Sequence, residues 1–214
     1  MSQLMTAGIR GPGRIVVEPA PTIAAMTMPA SDHRYGHLLW PLFPRTPMKL
    51  AVKVHFDGDG AVAAGVAFDA WDAFEPSRTS ITRIAQVEKA PRGALDLREV
   101  PCVLQLLREH ALEPELILID GFVHLDVQET PGLGWHLHHA LGGRVGVIGV
   151  SKAARPDMPA QFEVTREEEA RPVIVTCIGI DLGAAKARLR AMHGKRRVPT
   201  LLKLVARMAK GGGD

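Results

Sequence analysis

The stretch ELILIDGFVHLD, from Glu115 to Asp126, constrains the fold more than any other part of the chain. Its Leu and Ile run is long enough for one buried strand, Pro114 lies just ahead of it, and it ends on Asp120, which glycine follows at once. In an α/β protein the carboxyl ends of parallel strands are where ligands bind, because the strand carries a side chain to the sheet edge and a glycine then turns the backbone away. The same Asp-Gly pair is also a plain turn signal. Asp120 is therefore both a candidate site residue and a candidate turn residue, and the rest of the chain has to separate the two.

Around this strand the patterning divides the chain. Residues 1–47 are rich in Pro, Gly, Met and Thr and hold no sustained period, so they read as a loose N-terminal extension. At Met48 the character changes: MKLAVKVHF and AVAAGVAFD are strands joined by the turn DGDG, and SRTSITRIAQVE supplies a third strand. From Leu97 the period becomes helical, with Val100, Val103, Leu104, Leu107 and Ala111 returning to one side until Pro114 stops the helix. After LILID come a short helix GLGWHLHHAL, a strand VGVIGV running into Ser151 and Lys152, a strand PVIVTC, and the helices LGAAKARLRAM and TLLKLVARM. An antiparallel start followed by alternating helix and strand predicts a mixed α/β sheet over residues 48–210, with 211–214 a flexible tail.

Length and composition narrow the class. At 214 residues one domain can bury a core without staples, and 46% hydrophobic with 23% charged residues is ordinary for a globular protein. Cys102 and Cys177 form neither a disulfide framework nor a zinc cluster, which points to a reducing, cytoplasmic setting. No apolar stretch is long enough to span a bilayer, and the first residues lack the features of a secretory signal. The net charge is only +3, yet from Leu182 to Gly213 the chain carries Lys186, Arg188, Arg190, Lys195, Arg196, Arg197, Lys203, Arg207 and Lys210 with no Asp or Glu. Such one-sided charge fits a surface facing phosphates, with Lys195, Arg196 and Arg197 its densest point; it also fits a solvated helical face.

Three residues at the ends of core elements carry candidate chemistry: Glu99, Asp120 and Lys152. Two carboxylates on one edge can hold Mg²⁺, a hard ion that keeps waters for a phosphate substrate, and a neighbouring lysine can neutralise phosphate charge. The segments LDLREVPCVLQLL, ELILIDGFVHLD, PGLGWHLHHALGG, VGVIGVSKA, RPVIVTCIGIDL and MHGKRRVPTLLKLV, in this order and spacing, resemble the endonuclease V family in its short bacterial subgroup. The resemblance runs from Met48 to Lys210. It implies a ribonuclease H-like mixed sheet flanked by helices, and a DNA-repair type of nuclease that uses Mg²⁺ or Mn²⁺ to hydrolyse a phosphodiester near a deaminated purine, chiefly hypoxanthine, in DNA or RNA. It assigns metal binding to Glu99 and Asp120, and a catalytic lysine to Lys152 within GVSK.

The departures from that family are equally specific. Where the resemblance implies the first catalytic aspartate, in a pattern like AVDV, this chain reads AVKV and places Lys53. Asp57 lies four residues on, which at roughly 3.3 Å per residue is about 13 Å away, too far for a metal bond. The wedge that fills the gap of a displaced base corresponds to KAPRG, residues 89–93, which holds no aromatic side chain. Cys177 and Ile178 stand where the larger enzymes have a late histidine. His136 and His139 share a helix face at metal-compatible spacing, but no third ligand motif accompanies them and they read as packing or surface residues. DGDG is no calcium loop, because its twelfth position is Phe68.

Two functions follow: a metal-dependent nuclease, and a non-catalytic nucleic-acid-binding protein in which Lys53 substitutes for the positive charge of the metal. The domain boundary is testable at once. A chain begun at Met48 is expected to be soluble, with a melting temperature close to that of the full chain; aggregation of the shortened chain beside a stable full chain would move the boundary upstream.

Overall fold

The computed structural model describes residues 47–88, 95–153, 155–166 and 171–211, all within one unit that spans residues 45–214. The N-terminal extension before residue 47, the KAPRG stretch and the last three residues lie outside the described residues.

Seven strands form one mixed sheet in the order β3-β2-β1-β4-β5-β7-β6. The first two, β1 (Lys49–Asp57) and β2 (Gly60–Phe68), are the hairpin expected from the sequence. Gly58 opens its two-residue loop at φ +61°, a conformation that glycine adopts without steric cost. β3 (Arg78–Ile84) continues the antiparallel meander. β4 (Leu116–Ile119) and β5 (Gly146–Ser151) join β1 in parallel. β7 (Val173–Ile178) and the two-residue β6 (Glu163–Val164), which no sequence period announced, run antiparallel beyond them.

Alternation along the strands sorts the core into two layers. Leu50, Val52, Val54, Ile117, Ile119 and Val147 pack with α1 (Glu99–Glu109) and α2 (Leu133–Ala140). Ala51, Leu116, Leu118, Ile148 and Val150 pack with α3 (Leu182–Ala191) and α4 (Thr200–Ala209). Every residue of β4 is buried, as a strand covered by helices on both faces must be. α4 earns its place through Leu201, Leu202, Val205, Met208 and Ala209, one apolar stripe at helical spacing.

The end of α1 differs from the sequence expectation. The helix stops at Glu109, before Pro114 acts, because Ala111 turns left-handed at φ 48° while its N–H donates to the Arg108 carbonyl and that of Leu112 to the Leu107 carbonyl. This is a Schellman closure with alanine where glycine is usual, and it leaves Ala111 exposed rather than on the buried stripe.

The loop after β4 is seated by an absent atom. Val123 N–H donates to the buried Thr176 hydroxyl at 2.8 Å, and Gly149 of β5 lies beneath the loop. A Cβ on Gly149 would stand 2.6 Å from the Gly121 carbonyl oxygen and 2.9 Å from the Thr176 hydroxyl oxygen. Further along, the loop folds back on itself: Thr130 N–H donates to the Asp126 carboxylate at 3.0 Å, and hydrogen bonding from Thr130 holds the Asp126 carboxyl below the usual carboxylate range.

Gly149→Ala is accordingly expected to lower unfolding stability by about 1–3 kcal/mol, the cost of overpacking a closed site. Urea denaturation would measure it, and an unchanged midpoint would show that the loop yields freely.

Candidate functional site

Parallel register brings the key charges together. Val52 pairs with Ile119, so the next residue of β1, Lys53, comes abreast of Asp120 at the point where β4 ends and β1 continues. Lys53 Nζ stands 3.1 Å from Asp120 Oδ2, with 23% and 39% of the two side chains exposed. A pair this open to water contributes about 0–1 kcal/mol to stability. Its importance lies in which groups it occupies.

Both residues line a cleft of about 530 Å³ between the carboxyl ends of the parallel strands and α4. Among the described residues, six cationic side chains border it, Lys53, Lys152, Arg171, Arg196, Arg197 and Lys203, against Asp120 as the one acid, with Val150, Val198 and Leu202 among its apolar lining. Lys152 follows the end of β5 and is exposed. Arg171 reaches the cleft because β7 runs antiparallel to β5, so the start of one strand lies beside the end of the other.

The segment from Met192 to Val198 is braced from two sides. The buried Arg166 guanidinium donates to the carbonyls of Met192 and Gly194. Arg197 donates from Nε to the Pro172 carbonyl at 3.0 Å and from a terminal nitrogen to the Lys152 carbonyl at 2.9 Å. Gly194, at φ +103°, packs where a Cβ would stand 2.6 Å from the Thr200 hydroxyl oxygen. Arg197 is thus a strut between the 192–198 segment and the strand ends, at the same time as it borders the cleft.

The sequence-selected residues therefore separate. Lys53, Asp120, Lys152, Arg196 and Arg197 line one cleft; Glu99 and Lys195 do not. Glu99 opens α1, the helix on the other layer of the core. Asp57 ends β1 at the hairpin, paired with Gly60 and away from the cleft lining. Arg171 and Lys203 join the cleft without having been singled out. Lys203 was legible as part of the basic segment, whereas Arg171 depends on the direction of β7. Elsewhere in that segment Lys186 donates to the Gln161 carbonyl and Arg188 lies over the Trp71 ring, and neither is among the residues that line the cleft.

A divalent ion does not fit the groups at Asp120. Mg²⁺ needs hard oxygen donors, and the Oδ2 that would supply one already faces an ammonium that also repels the ion. Among the described residues, no three His, Cys, Asp or Glu side chains come together as a metal site would need. His139 stacks on Trp135 at 3.8 Å and bonds its carbonyl, and His138 bonds the Val145 carbonyl. Burial, with the charge of Asp181 adding to it, pushes the Cys177 thiol up to about 11, and burial with the Glu99 charge raises that of Cys102. Neither sulfur is a thiolate at neutral pH.

The fold is one already seen in solved structures. The Streptomyces avermitilis endonuclease V matches over 86% of this chain and 94% of its own, at 24% identity and TM-score 0.59. The human enzyme matches over 78% and 84%, at 18% identity and TM-score 0.62. The Ciona intestinalis endonuclease V, solved with a 23mer DNA containing an inosine followed by a ribo-adenosine, matches over 78% and 85%, at 17% identity and TM-score 0.63. The architecture is thus the ribonuclease H-like mixed sheet flanked by helices. No protein-family model matches the sequence, and no curated protein does.

The bracing role of Arg197 separates it from its cationic neighbours. Arg197→Ala is expected to cost about 1.5–3 kcal/mol by urea unfolding, the range for hydrogen bonds from a charged group. Lys203→Ala, at an exposed helical position, should change stability by under about 0.5 kcal/mol. Equal effects would deny Arg197 its structural part.

Proposed function

We propose that this chain is an endonuclease V-type protein that binds nucleic-acid strands by their phosphates, in the cleft between α4 and the carboxyl ends of β1, β4 and β5. One observation carries the reading: among the described residues, six cations border a single cleft whose one acid is already ion-paired. Such a site attracts polyanions, with an affinity that falls steeply as salt rises. Likeness in fold to endonuclease V structures, one of them holding inosine-containing DNA, makes a strand with a deaminated purine the first ligand to try.

A second reading, metal-dependent hydrolysis beside hypoxanthine in a repair role, is favoured by the exposure of Asp120 at this cleft with Lys152 nearby. On that reading Glu99 and Asp120 would hold Mg²⁺ or Mn²⁺ and Lys152 would face the phosphate, which requires Glu99 to reach Asp120 from the α1 layer, outside the cleft lining. The ammonium of Lys53 opposes it, because it offers a cation where an oxygen donor is required.

Fluorescence anisotropy with inosine-containing and matched control oligonucleotides, across a salt series, tests the binding. A linear fall of log affinity with log salt is expected, and Lys203→Ala should reduce the slope on single strands by about 0.7, the share of one phosphate contact. No binding even at low salt would remove the proposal. Incubation of the same strands with Mn²⁺ separates the two readings: intact strands favour binding alone, and cleavage favours hydrolysis. Lys53→Asp would set a second carboxylate beside Asp120, across a strand spacing of about 4.8 Å. This variant is expected to gain Mn²⁺ binding by calorimetry, and the further change Asp120→Ala should abolish the gain. A folded Lys53→Asp protein that binds no metal would leave the hydrolytic reading without a site.

A further inference from the structure

We propose that Lys53 takes the place of a divalent ion in this cleft, so that a single phosphate group is held beside it without metal and Asp120 competes with that phosphate. The inference rests on the cleft being a phosphate-binding site, and it assigns the innermost contact.

Geometry and charge point the same way. Among the described residues the polar partner of Lys53 is Asp120, at 3.1 Å. An ammonium has three donors, so a contact with one carboxylate oxygen leaves two N–H groups to offer a phosphate oxygen. The pair is open enough to water to be weak, and a carboxylate held by a weak pair can be displaced by an anion of equal or greater charge. Lys152 and Arg171 border the same cleft and would face the remaining phosphate oxygens. Such an array neutralises a phosphate as a metal ion does, by fixed positive charge at short range, and requires no oxygen ligands from the protein. Asp120 then changes meaning. Beside a metal it would strengthen phosphate binding by anchoring the ion; without one its negative charge weakens phosphate binding by direct repulsion.

Opposite signs for one residue make the test sharp. The probe is a fluorescent single-stranded oligonucleotide, measured at matched ionic strength in EDTA and in Mg²⁺, with inorganic phosphate as competitor. The expected results are no gain of affinity with Mg²⁺, a loss of on the order of tenfold for Lys53→Met, and a gain of on the order of fivefold for Asp120→Asn. Phosphate should displace the probe most readily from Asp120→Asn and least readily from Lys53→Met. Lys53→Arg, which keeps the charge, should bind within a few-fold of the native protein, and melting temperatures would show that each variant is folded. Affinity that rises with Mg²⁺, or that falls in Asp120→Asn, would overturn the inference and make Asp120 a metal ligand. Binding that ignores both Lys53 and Asp120 would overturn it while leaving the cleft a nucleic-acid site. A native protein that binds no oligonucleotide at low salt would fail both readings together.

Discussion

The parallel pairing of β1 with β4, in the register that sets Val52 against Ile119, is the constraint on which the site depends. β4 is four residues long and wholly buried, so it can deliver a polar side chain only where it ends. β1 is nine residues long and goes on past that point with β2 as its remaining neighbour. Lys53 therefore meets Asp120 at the first position where the sheet opens to water on the α4 side. A shift of one residue would turn Lys53 into the layer packed by α1 and α2 and bury an ammonium among Val, Leu and Ile. Burial of β1 fixes the register, and the register fixes the ion pair.

The cleft gains its character from elements that arrive from the other end of the chain. α4 closes it with an amphipathic face, and the short segment before α4 brings Arg196 and Arg197 to the strand ends. That segment has little regular structure of its own. It keeps its course because two guanidinium groups hold its backbone or bind it to neighbouring carbonyls, Arg166 from beyond β6 and Arg197 from within. Basic residues here thus divide into those that shape the cleft and those that face it, and net charge alone does not tell them apart.

Local patterns made most of the fold legible. The hairpin, the buried LILI strand and the α4 stripe follow from alternation, apolar runs and helical spacing, each of which a few neighbouring residues decide. What stayed hidden depends on distant partners. The two residues of β6 form a strand only because β7 lies beside them, and Arg171 reaches the cleft only because β7 is antiparallel to β5. Ala111 ends α1 through backbone bonds that a non-glycine residue does not advertise. For the candidate site, AVKV placed a lysine in β1, but its 3.1 Å approach to Asp120 is a property of register, which no spacing in the sequence states. The other layer of the core, where Glu99 begins its helix, was equally unreadable before the sheet was in view.

The outer strand β3 has a consequence for how copies of this chain meet one another. An unpaired sheet edge is a template on which a second chain can add its own strand. Here the imidazole of His110 donates to the outward Ile81 carbonyl at 3.1 Å, and Arg78 reaches back to the His110 carbonyl at 3.0 Å, with Arg83 exposed further along. The opposite border is a strand of two residues, too short to recruit another. Both margins of the sheet are therefore poor seeds for strand-to-strand assembly, one blocked by a side chain and guarded by like charges, the other nearly without length. Copies of this chain that come close together therefore have little means of joining their sheets edge to edge.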